Sequence, residues 1–339
     1  MGITDVIIEY LYNFRSYISK YQFSIGFLTI STILCKLIAL KLKRRDNAVN
    51  RLYYSNVLIT GASSGLGREL AKTMYRLKCN LILTSRKEDK LITLRDQLKS
   101  EYPEIDTEIR LMELDLEYEE SINQFLSKLK NTQIDVDILI NNAGVRVRSD
   151  TQSVSLELEK KIMQINYFGP RQLTLGFLKL IQNSYMKRFI VMINSIQGIS
   201  AVPYRGPYCA SKHARLFLFF NFLSVYFNSF LVRAFTDVLR AEMHCTHSHI
   251  NIQSIYPGNI SMPESYPQYA FNGCGDLIEV NNSKKRAIAV DQVARRIFES
   301  IVQQQHECII APLTVRLFCY FRNIFNDMMI NFQRKEALK

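Results

Sequence analysis

The chain has 339 residues, 47% of them hydrophobic, and a formal net charge of +12 at pH 7. This length and composition suit one substantial hydrophobic core and exclude an intrinsically disordered chain. The seven cysteines are odd in number and scattered, which argues against a disulfide-built fold and for a reducing compartment. No nucleic-acid recognition motif accompanies the positive charge, so we expect no nucleic-acid partner.

The first predicted element is an apolar segment near the N-terminus. Phe23 to Leu40 is a largely apolar stretch whose only charged residue is Lys36, and the basic run 41–45 follows it. An apolar segment of this length that is followed by basic residues is typical of a membrane anchor whose basic side faces the cytosol. We therefore predict an anchor over residues 1–45 in contact with membrane lipid, with a monotopic hairpin or an interfacial helix as the alternatives.

Next comes a short β-type run, Val57 to Thr60, that enters a glycine-rich turn and then a helical pattern. Glycines let the backbone approach a pyrophosphate, and the N-terminus of the following helix faces its charge. Strand, turn and helix in this order predict a dinucleotide-binding site, although a glycine-rich turn by itself is more often a plain loop. The predicted cofactor residues of the turn are Gly61, Ser63, Ser64, Gly65, Leu66 and Gly67.

A second β-type run, Leu81 to Thr84, is followed by Arg86. An acidic residue here would accept hydrogen bonds from the ribose hydroxyl of NAD(H), whereas a guanidinium pairs with the 2′-phosphate of NADP(H). The sequence therefore predicts NADP(H), with NAD(H) or a merely solvated basic turn as the alternatives.

Two further groups of residues, one at Asp115 and one at Asn142, fall where predicted strands end. Ligands of open α/β sheets bind at the carboxyl ends of the strands, so we assign these residues to the cofactor as well. The alternation of β-runs and helical patterns from Tyr54 to Ile310 predicts an α/β fold with a doubly wound parallel sheet, the Rossmann fold. The residues so assigned are Asp115, Leu116, Asn142, Ala143 and Gly144.

A Tyr-x-x-x-Lys pair, Tyr208 and Lys212, lies downstream of Ser195. Residues four apart share one helix face, so the Lys212 ammonium is expected to lower the pKa of the Tyr208 phenol towards the range of a general acid or base. A lone pair of this kind is usually two solvated neighbours. Its combination with Ser195 and a dinucleotide turn predicts hydride-transfer chemistry.

Together these motifs resemble the classical short-chain dehydrogenase/reductase family from about Asn56 to Pro312. Within that family the chain is most similar to the membrane-anchored dehydrogenase/reductase member 7B group, through its anchor, the stretch Arg240 to Met243 and a basic tail. The motifs that carry the resemblance are Thr-Gly-x-x-x-Gly-x-Gly at Thr60–Gly67, Asn-Asn-Ala-Gly at Asn141–Gly144, Asn166, Ser195, Tyr208 with Lys212, and Pro257-Gly258.

The resemblance implies a catalytic role for four residues. Tyr208 would exchange a proton with the substrate oxygen, and Ser195 would hydrogen-bond the same oxygen, so these two residues would also contact the substrate. Lys212 would also hold the nicotinamide ribose, and Asn166 would hold a water that links Lys212 to solvent. Three more cofactor residues are implied: Pro257, Gly258 and Ile260.

The resemblance further implies a lipid-like ketone or secondary alcohol as the substrate, with steroids, retinoids and acyl or alkyl dihydroxyacetone phosphate as candidates. It implies an endoplasmic reticulum or peroxisomal membrane location, with the catalytic domain facing the cytosol, and a homodimer as one form of assembly. An epimerase or dehydratase of the extended branch is the weaker alternative, because its Gly-x-x-Gly-x-x-Gly turn is missing.

The chain departs from the family pattern at two places. Met262 stands where the family commonly has a threonine that contacts the nicotinamide carboxamide. The uncharged, phenylalanine-rich stretch 216–232 also interrupts the catalytic helix. Its composition favours a translated intron or splice variant over an apolar loop or a bilayer span. If the stretch is genuine and disrupts the site, the alternative is a noncatalytic, cofactor-binding membrane protein.

The predicted organisation is therefore an anchor over 1–45, a catalytic domain over 52–312 that contains the insertion 216–232, and a basic amphipathic tail over 313–339. A group of histidines near a helix end, His244, His247 and His249 with Cys245, invites a metal hypothesis. Because hydride transfer of this type requires no metal, we predict none.

Overall fold

The computed structural model describes residues 52–181, 184–214, 234–247, 249–264, 267–280 and 287–321. The predicted anchor, the insertion 216–232 and residues 322–339 of the predicted tail lie outside the described residues. Within the described part of the chain, no helix is both long and apolar enough to cross a membrane.

Strands and helices alternate along the described chain. The strands are β1 (Asn56–Thr60), β2 (Asn80–Ser85), β3 (Ile109–Glu113), β4 (Ile138–Asn141), β5 (Arg188–Ile193), β6 (Ile250–Pro257), β7 (Ile260–Ser261), β8 (Tyr269–Phe271), β9 (Leu277–Glu279), β10 (Ile288–Ala289) and β11 (Glu307–Ile310). The α-helices are α1 (Gly65–Arg76), α2 (Asp89–Glu101), α3 (Glu119–Asn131), α4 (Leu156–Met163), α5 (Gly169–Ile181), α6 (Gly206–Ala214), α7 (Ala234–Thr246), α8 (Val290–Val302) and α9 (Leu313–Phe321).

Seven of these strands form one parallel sheet in the order β11-β6-β5-β4-β1-β2-β3. The chain moves outward from β1 to β3 and then returns to β4 on the other side of β1. This reversal confirms the predicted doubly wound sheet. It also places the topological switch point, where such sheets bind ligands, between the carboxyl ends of β1 and β4.

The core forms because the central strands are apolar on both faces. Leu58, Leu139 and Ile190 are fully buried on one face, where helices α3, α5 and α7 cover them with residues that include Phe125 and Phe177. The strand residues that alternate with this set are equally buried, as a parallel sheet covered by helices on both sides requires. This packing holds the strand ends, and so the site, on a rigid scaffold.

An ion-pair cluster fixes the opposite, amino-terminal edge of the sheet. The fully buried Arg188 at the start of β5 donates to the carboxylates of Asp135 and Asp137, which precede β4. Asp137 also accepts from the backbone N–H of Asn56 at 2.8 Å. The cluster therefore connects β1, β4 and β5 away from the site.

Candidate active site

The glycine turn after β1 has the backbone shape that a bound pyrophosphate needs. Gly61 and Gly65 adopt positive φ angles of 66° and 55°. A Cβ atom at Gly67 would lie 2.2 Å from the Gly61 carbonyl oxygen and 2.5 Å from Nδ2 of Asn142. Only glycine fits this close approach, so the turn keeps its backbone open to a ligand.

The turn is joined to the end of β4 by a small hydrogen-bond network. The Thr60 hydroxyl accepts from the backbone N–H groups of Asn142 and Ala143, both at 3.0 Å, and Nδ2 of Asn142 donates to the Thr60 carbonyl at 2.9 Å. Gly61 packs against Ala143, whose Cα would lie 2.9 Å from an added Cβ. Predicted cofactor residues from two separate motifs are therefore brought together at the switch point.

Helix α1 begins inside this turn and presents an anion-binding end. Ser64 is its N-cap, and the first turn contains no acidic residue. The free backbone N–H groups and the positive end of the helix dipole favour a negatively charged group here. Ser63, Gly65 and Leu66 lie in the same turn, so this part of the structure fits the pyrophosphate of a dinucleotide.

The remaining predicted cofactor residues lie on neighbouring strand ends. Arg86 is exposed directly after β2. Strand β3 ends at Glu113, so Asp115 and the buried Leu116 follow the strand rather than close it. The reason is local: the Asp115 carboxylate accepts from the N–H of Glu117 at 2.9 Å and turns the chain towards α3.

The Pro257-Gly258 motif closes the other side of the site. Pro257 ends β6, and the N–H of Gly258 donates to the Ile310 carbonyl at 2.9 Å. Ile260 begins β7, which pairs with β10. Met262 then places its methyl group 3.6 Å from the position of a Cβ at Gly65, so the residue that replaces the family's threonine lies over the glycine turn.

Three of the four predicted catalytic residues, Ser195, Tyr208 and Lys212, converge beyond the end of β5. Tyr208 and Lys212 lie on α6 and are both buried, and Nζ of Lys212 is 5.6 Å from the centroid of the Tyr208 ring. Lys212 also donates to the Ile193 carbonyl at 3.4 Å. The side chains of Ser195 and Tyr208 are hydrogen-bonded to each other. Ser195 also accepts from the N–H of Gln197 at 3.1 Å, which fixes its orientation.

The electrostatics of Tyr208 differ from the sequence prediction. Burial raises the pKa of the phenol above its usual value, because the ionised form loses its hydration. The charges of Arg146 and Arg205 and the hydrogen bond with Ser195 act in the opposite direction. The predicted net lowering by Lys212 was therefore wrong in direction, since desolvation is the largest effect.

Asn166 connects the catalytic helix to the end of β4. It lies in a π-helical turn, Gln164–Phe168, and is fully buried. Its Nδ2 donates to the Val145 carbonyl and to the Ser211 hydroxyl, both at 2.9 Å, and its Oδ1 accepts from the Val145 N–H at 2.8 Å. These contacts position α6 relative to the sheet. The water-holding role stays a prediction.

Gly144 completes this corner of the site. A Cβ there would lie 3.0 Å from Oδ1 of Asn166 and 3.5 Å from Nζ of Lys212. The Asn-Asn-Ala-Gly motif thus contacts the glycine turn at its start and the catalytic residues at its end.

Sequence reasoning missed Arg146, Arg205 and Ser211. Arg205 could have been found, because it precedes Tyr208 by only three residues and lies directly before α6. Arg146 lies in the irregular chain after β4, where no periodicity indicates direction. Ser211 was missed because it acts through its hydrogen bond with Asn166, which is distant in the sequence.

Among the residues that the structure describes, no group of three or more histidine, cysteine or acidic side chains could hold a metal ion. His247 and His249 have ring centroids 5.8 Å apart in an edge-to-face arrangement.

Comparison with known proteins agrees with this geometry. The family model for short chain dehydrogenase matches residues 55–267, so the chain belongs to the short-chain dehydrogenase/reductase family of oxidoreductases. Within the family it is similar to "Dehydrogenase/reductase SDR family protein 7-like" of Drosophila melanogaster, at 32% identity over 86% of this chain and 82% of that protein. It is also similar to "Dehydrogenase/reductase SDR family member 7B" of Xenopus tropicalis, at 30% identity over 88% and 91% of the two chains. This placement confirms the resemblance to the member 7B group.

Solved structures share the fold at low sequence identity. A short chain dehydrogenase/reductase from Burkholderia phymatum in complex with NAD aligns with a TM-score of 0.63 and 19% identity over 82% of this chain and 95% of that chain. An alcohol dehydrogenase from Thermococcus sibiricus complexed with 5-hydroxy-NADP aligns with a TM-score of 0.58 and 19% identity over 76% and 97%. These likenesses show that the chain shares its fold with both structures, one of which holds NAD and the other 5-hydroxy-NADP.

Proposed function

We propose that the protein is a membrane-anchored, NADP(H)-dependent oxidoreductase that interconverts a lipid-like ketone and its secondary alcohol. The observation that carries the proposal is the convergence of hydrogen-bonded Ser195 and Tyr208 with the buried Lys212 beside a turn shaped for a dinucleotide. Burying the Lys212 ammonium costs free energy, which a cluster with a purely structural role would not require. Its Nζ lies next to Gly144, the last residue of the Asn-Asn-Ala-Gly motif that contacts the glycine turn.

The chemistry follows from what these side chains can do. A bound nicotinamide dinucleotide supplies the hydride. Tyr208 donates a proton to the carbonyl oxygen as negative charge develops there, and the Ser195 hydroxyl hydrogen-bonds the same oxygen. The Lys212 ammonium stabilises the phenolate that remains. Burial of all three groups strengthens these interactions because the local dielectric is low.

Substitution of Tyr208 by Phe tests catalysis. The variant removes one hydroxyl from a buried ring and should lower kcat by roughly 10² or more, the range typical of losing general acid–base catalysis. Cofactor affinity, measured by NADPH fluorescence, should change little. Tyr185→Phe is the matched control, because Tyr185 is 92% exposed.

Equal turnover in both variants would remove Tyr208 from the mechanism. A wild-type chain that binds NADPH but turns over no ketone or secondary alcohol would favour the noncatalytic, cofactor-binding alternative.

The preference for NADP(H) is proposed from the position of Arg86. Its guanidinium is exposed at the carboxyl end of β2 and has no carboxylate partner among the described residues. That position can pair with a 2′-phosphate. Arg86→Asp should weaken NADPH binding at least tenfold and leave NADH nearly unchanged, whereas the same charge change at exposed Lys99 should affect neither. Equal losses for both dinucleotides would contradict the assignment.

Membrane attachment and a lipid-like substrate are proposed from the apolar segment Phe23 to Leu40 and from exposed Leu313 and Leu317, which share one face of α9. Removal of residues 1–45 should release much of the protein from membranes and leave dinucleotide binding intact. Release of the full chain by high salt alone would instead indicate an electrostatic surface attachment.

A further inference from the structure

A buried hydroxyl connects the catalytic helix to the turn that carries Asn166. Ser211 lies between Tyr208 and Lys212 in the chain, and its side chain is fully buried. The Ser211 hydroxyl donates to the Tyr208 carbonyl at 2.8 Å and accepts from Nδ2 of Asn166 at 2.9 Å. Because a hydroxyl has a single hydrogen, the bond to the carbonyl fixes its direction and leaves its lone pairs for the amide.

The amide of Asn166 is fixed in orientation by the backbone of Val145. Oδ1 of Asn166 accepts from the Val145 N–H at 2.8 Å, and Nδ2 donates to the Val145 carbonyl at 2.9 Å. Exchange of the two amide atoms would place donor against donor and acceptor against acceptor, so these bonds define which atom is the nitrogen. The second hydrogen of Nδ2 goes to Ser211. Both amide hydrogens are therefore engaged, and any further partner of this side chain must donate to Oδ1.

This orientation limits how Asn166 can act in the site. Oδ1 of Asn166 and Nζ of Lys212 both lie next to Gly144, at 3.0 Å and 3.5 Å from the position of a Cβ there. The side chain thus presents an acceptor on the side of the ammonium, whereas its donors face Val145 and Ser211. A water held by the Asn166 side chain would have to donate to Oδ1.

Helix α6 is attached to the sheet on two sides. On the β5 side, Lys212 donates to the Ile193 carbonyl at 3.4 Å, which is beyond the usual range of an N–H···O bond. On the β4 side, Ser211 connects the helix to Asn166 at 2.9 Å. The Ser211 attachment is the shorter of the two, and it does not depend on a reacting side chain.

A hydroxyl with the same kind of contacts lies on another helix. Thr174 of α5 is fully buried, and its hydroxyl donates to the Pro170 carbonyl at 2.7 Å and accepts from Nδ2 of Asn141 at 3.0 Å. Thr174 and Ser211 thus both donate within their own helix and accept from an asparagine on another element. Since Thr174 does not lie on the catalytic helix, the pair can separate a structural effect from a catalytic one.

We infer that Ser211 is a positioning residue that, through Asn166, holds the catalytic helix α6 in place against the end of β4. Loss of its hydroxyl leaves a buried amide hydrogen without its partner, and α6 must shift to relieve that cost. Small displacements of reacting groups are expensive, because a shift of about 1 Å can lower turnover roughly 10²-fold. The effect on turnover rests on the proposed function, whereas the displacement of Tyr208 does not.

The test compares Ser211→Ala with Thr174→Val, each of which removes one buried hydroxyl that accepts from an asparagine amide. We expect Tm to fall in both variants. Only Ser211→Ala should also lower kcat, by roughly tenfold to 10²-fold, because it alone acts on the helix of the reacting groups. KM for NADPH should change little, since the glycine turn is untouched. Ser211→Thr keeps a hydroxyl that can bond within the helix and should retain most of kcat.

The displacement of Tyr208 is read without turnover by fluorine NMR of the protein labelled with 3-fluorotyrosine. The Tyr208 resonance is the one that is absent from Tyr208→Phe. Ser211→Ala should shift this resonance, and Thr174→Val should leave it in place. In an Asn166→Leu background the amide is gone, so Ser211→Ala should then shift the resonance much less. If Asn166→Leu does not fold, as judged by circular dichroism, the comparison with Thr174→Val and Ser211→Thr decides.

An unchanged kcat and an unchanged Tyr208 resonance in well-folded Ser211→Ala would overturn the inference. Equal losses of turnover in Ser211→Ala and Thr174→Val would also overturn it, because both losses would then reflect stability alone. A shift that is just as large in the Asn166→Leu background would show that the hydroxyl acts only within α6. A shifted resonance in a chain that turns over no ketone or secondary alcohol would support the inference and refute the proposed function.

Discussion

The change of Gly67 to Ala gives the sharpest test of the dinucleotide turn. The new methyl group would lie 2.2 Å from the Gly61 carbonyl oxygen, which is backbone and cannot rotate away. It would also lie 2.5 Å from Nδ2 of Asn142, whose bond to the Thr60 carbonyl holds β1 to β4. The turn must therefore open, or α1 must move.

The magnitude follows from three contributions. Overpacking of this kind typically costs about 1–3 kcal/mol, and loss of the Asn142 hydrogen bond about 1 kcal/mol more. The better helix propensity of alanine returns up to about 1 kcal/mol, because Gly67 lies within α1. The net loss is about 1–3 kcal/mol, which corresponds to a fall in Tm of several degrees for a domain of this size.

The assay combines thermal unfolding with NADPH binding. Because the displaced backbone is the part that approaches the pyrophosphate, we expect NADPH affinity to fall at least tenfold. Gly176→Ala is the matched control: Gly176 is also helical, and its added methyl would lie 2.2 Å from Cδ1 of Leu126, a side chain that can rotate. Equal stability and affinity in the two variants would refute the close-approach argument.

Three further predictions test the scaffold. Asp137→Ala leaves the buried Arg188 short of a carboxylate and should cost about 3 kcal/mol of unfolding free energy by urea denaturation; an unchanged midpoint would contradict this. Cys79 is buried and its pKa is raised to about 12, so iodoacetamide should label exposed Cys274 and leave Cys79 intact in the native protein, which peptide mass spectrometry checks. Deletion of residues 216–232 restores the family's spacing and should raise both Tm and ketone reductase activity; a more stable and more active full-length chain would show that the segment is a genuine element.

Local sequence patterns were sufficient for the parts of the fold that depend on neighbours in the chain. The run Val57 to Thr60 became β1, and the turn from Gly61 to Gly67 led into α1 as predicted. Apolar runs and glycine spacing act over a few residues, so they indicate these elements directly. The sequence pattern extended β3 beyond Glu113, where the strand ends in the structure. The reason is that the Asp115 side chain turns the chain, an effect that the apolar pattern does not show.

The sequence by itself determined the α/β class, the glycine-rich turn after β1 and the pairing of Tyr208 with Lys212 on one helix, because each depends on residues that are close together in the chain. The tertiary structure decided the electrostatics of Tyr208. The i, i+4 spacing indicated only that Lys212 is near, whereas the raised pKa comes from burial by distant parts of the chain. The charge of Arg146 also acts on the Tyr208 pKa, and the loop that carries Arg146 is held by a backbone hydrogen bond from Phe271, far away in sequence. Desolvation and long-range charge depend on which segments pack together in three dimensions, and no local pattern records that.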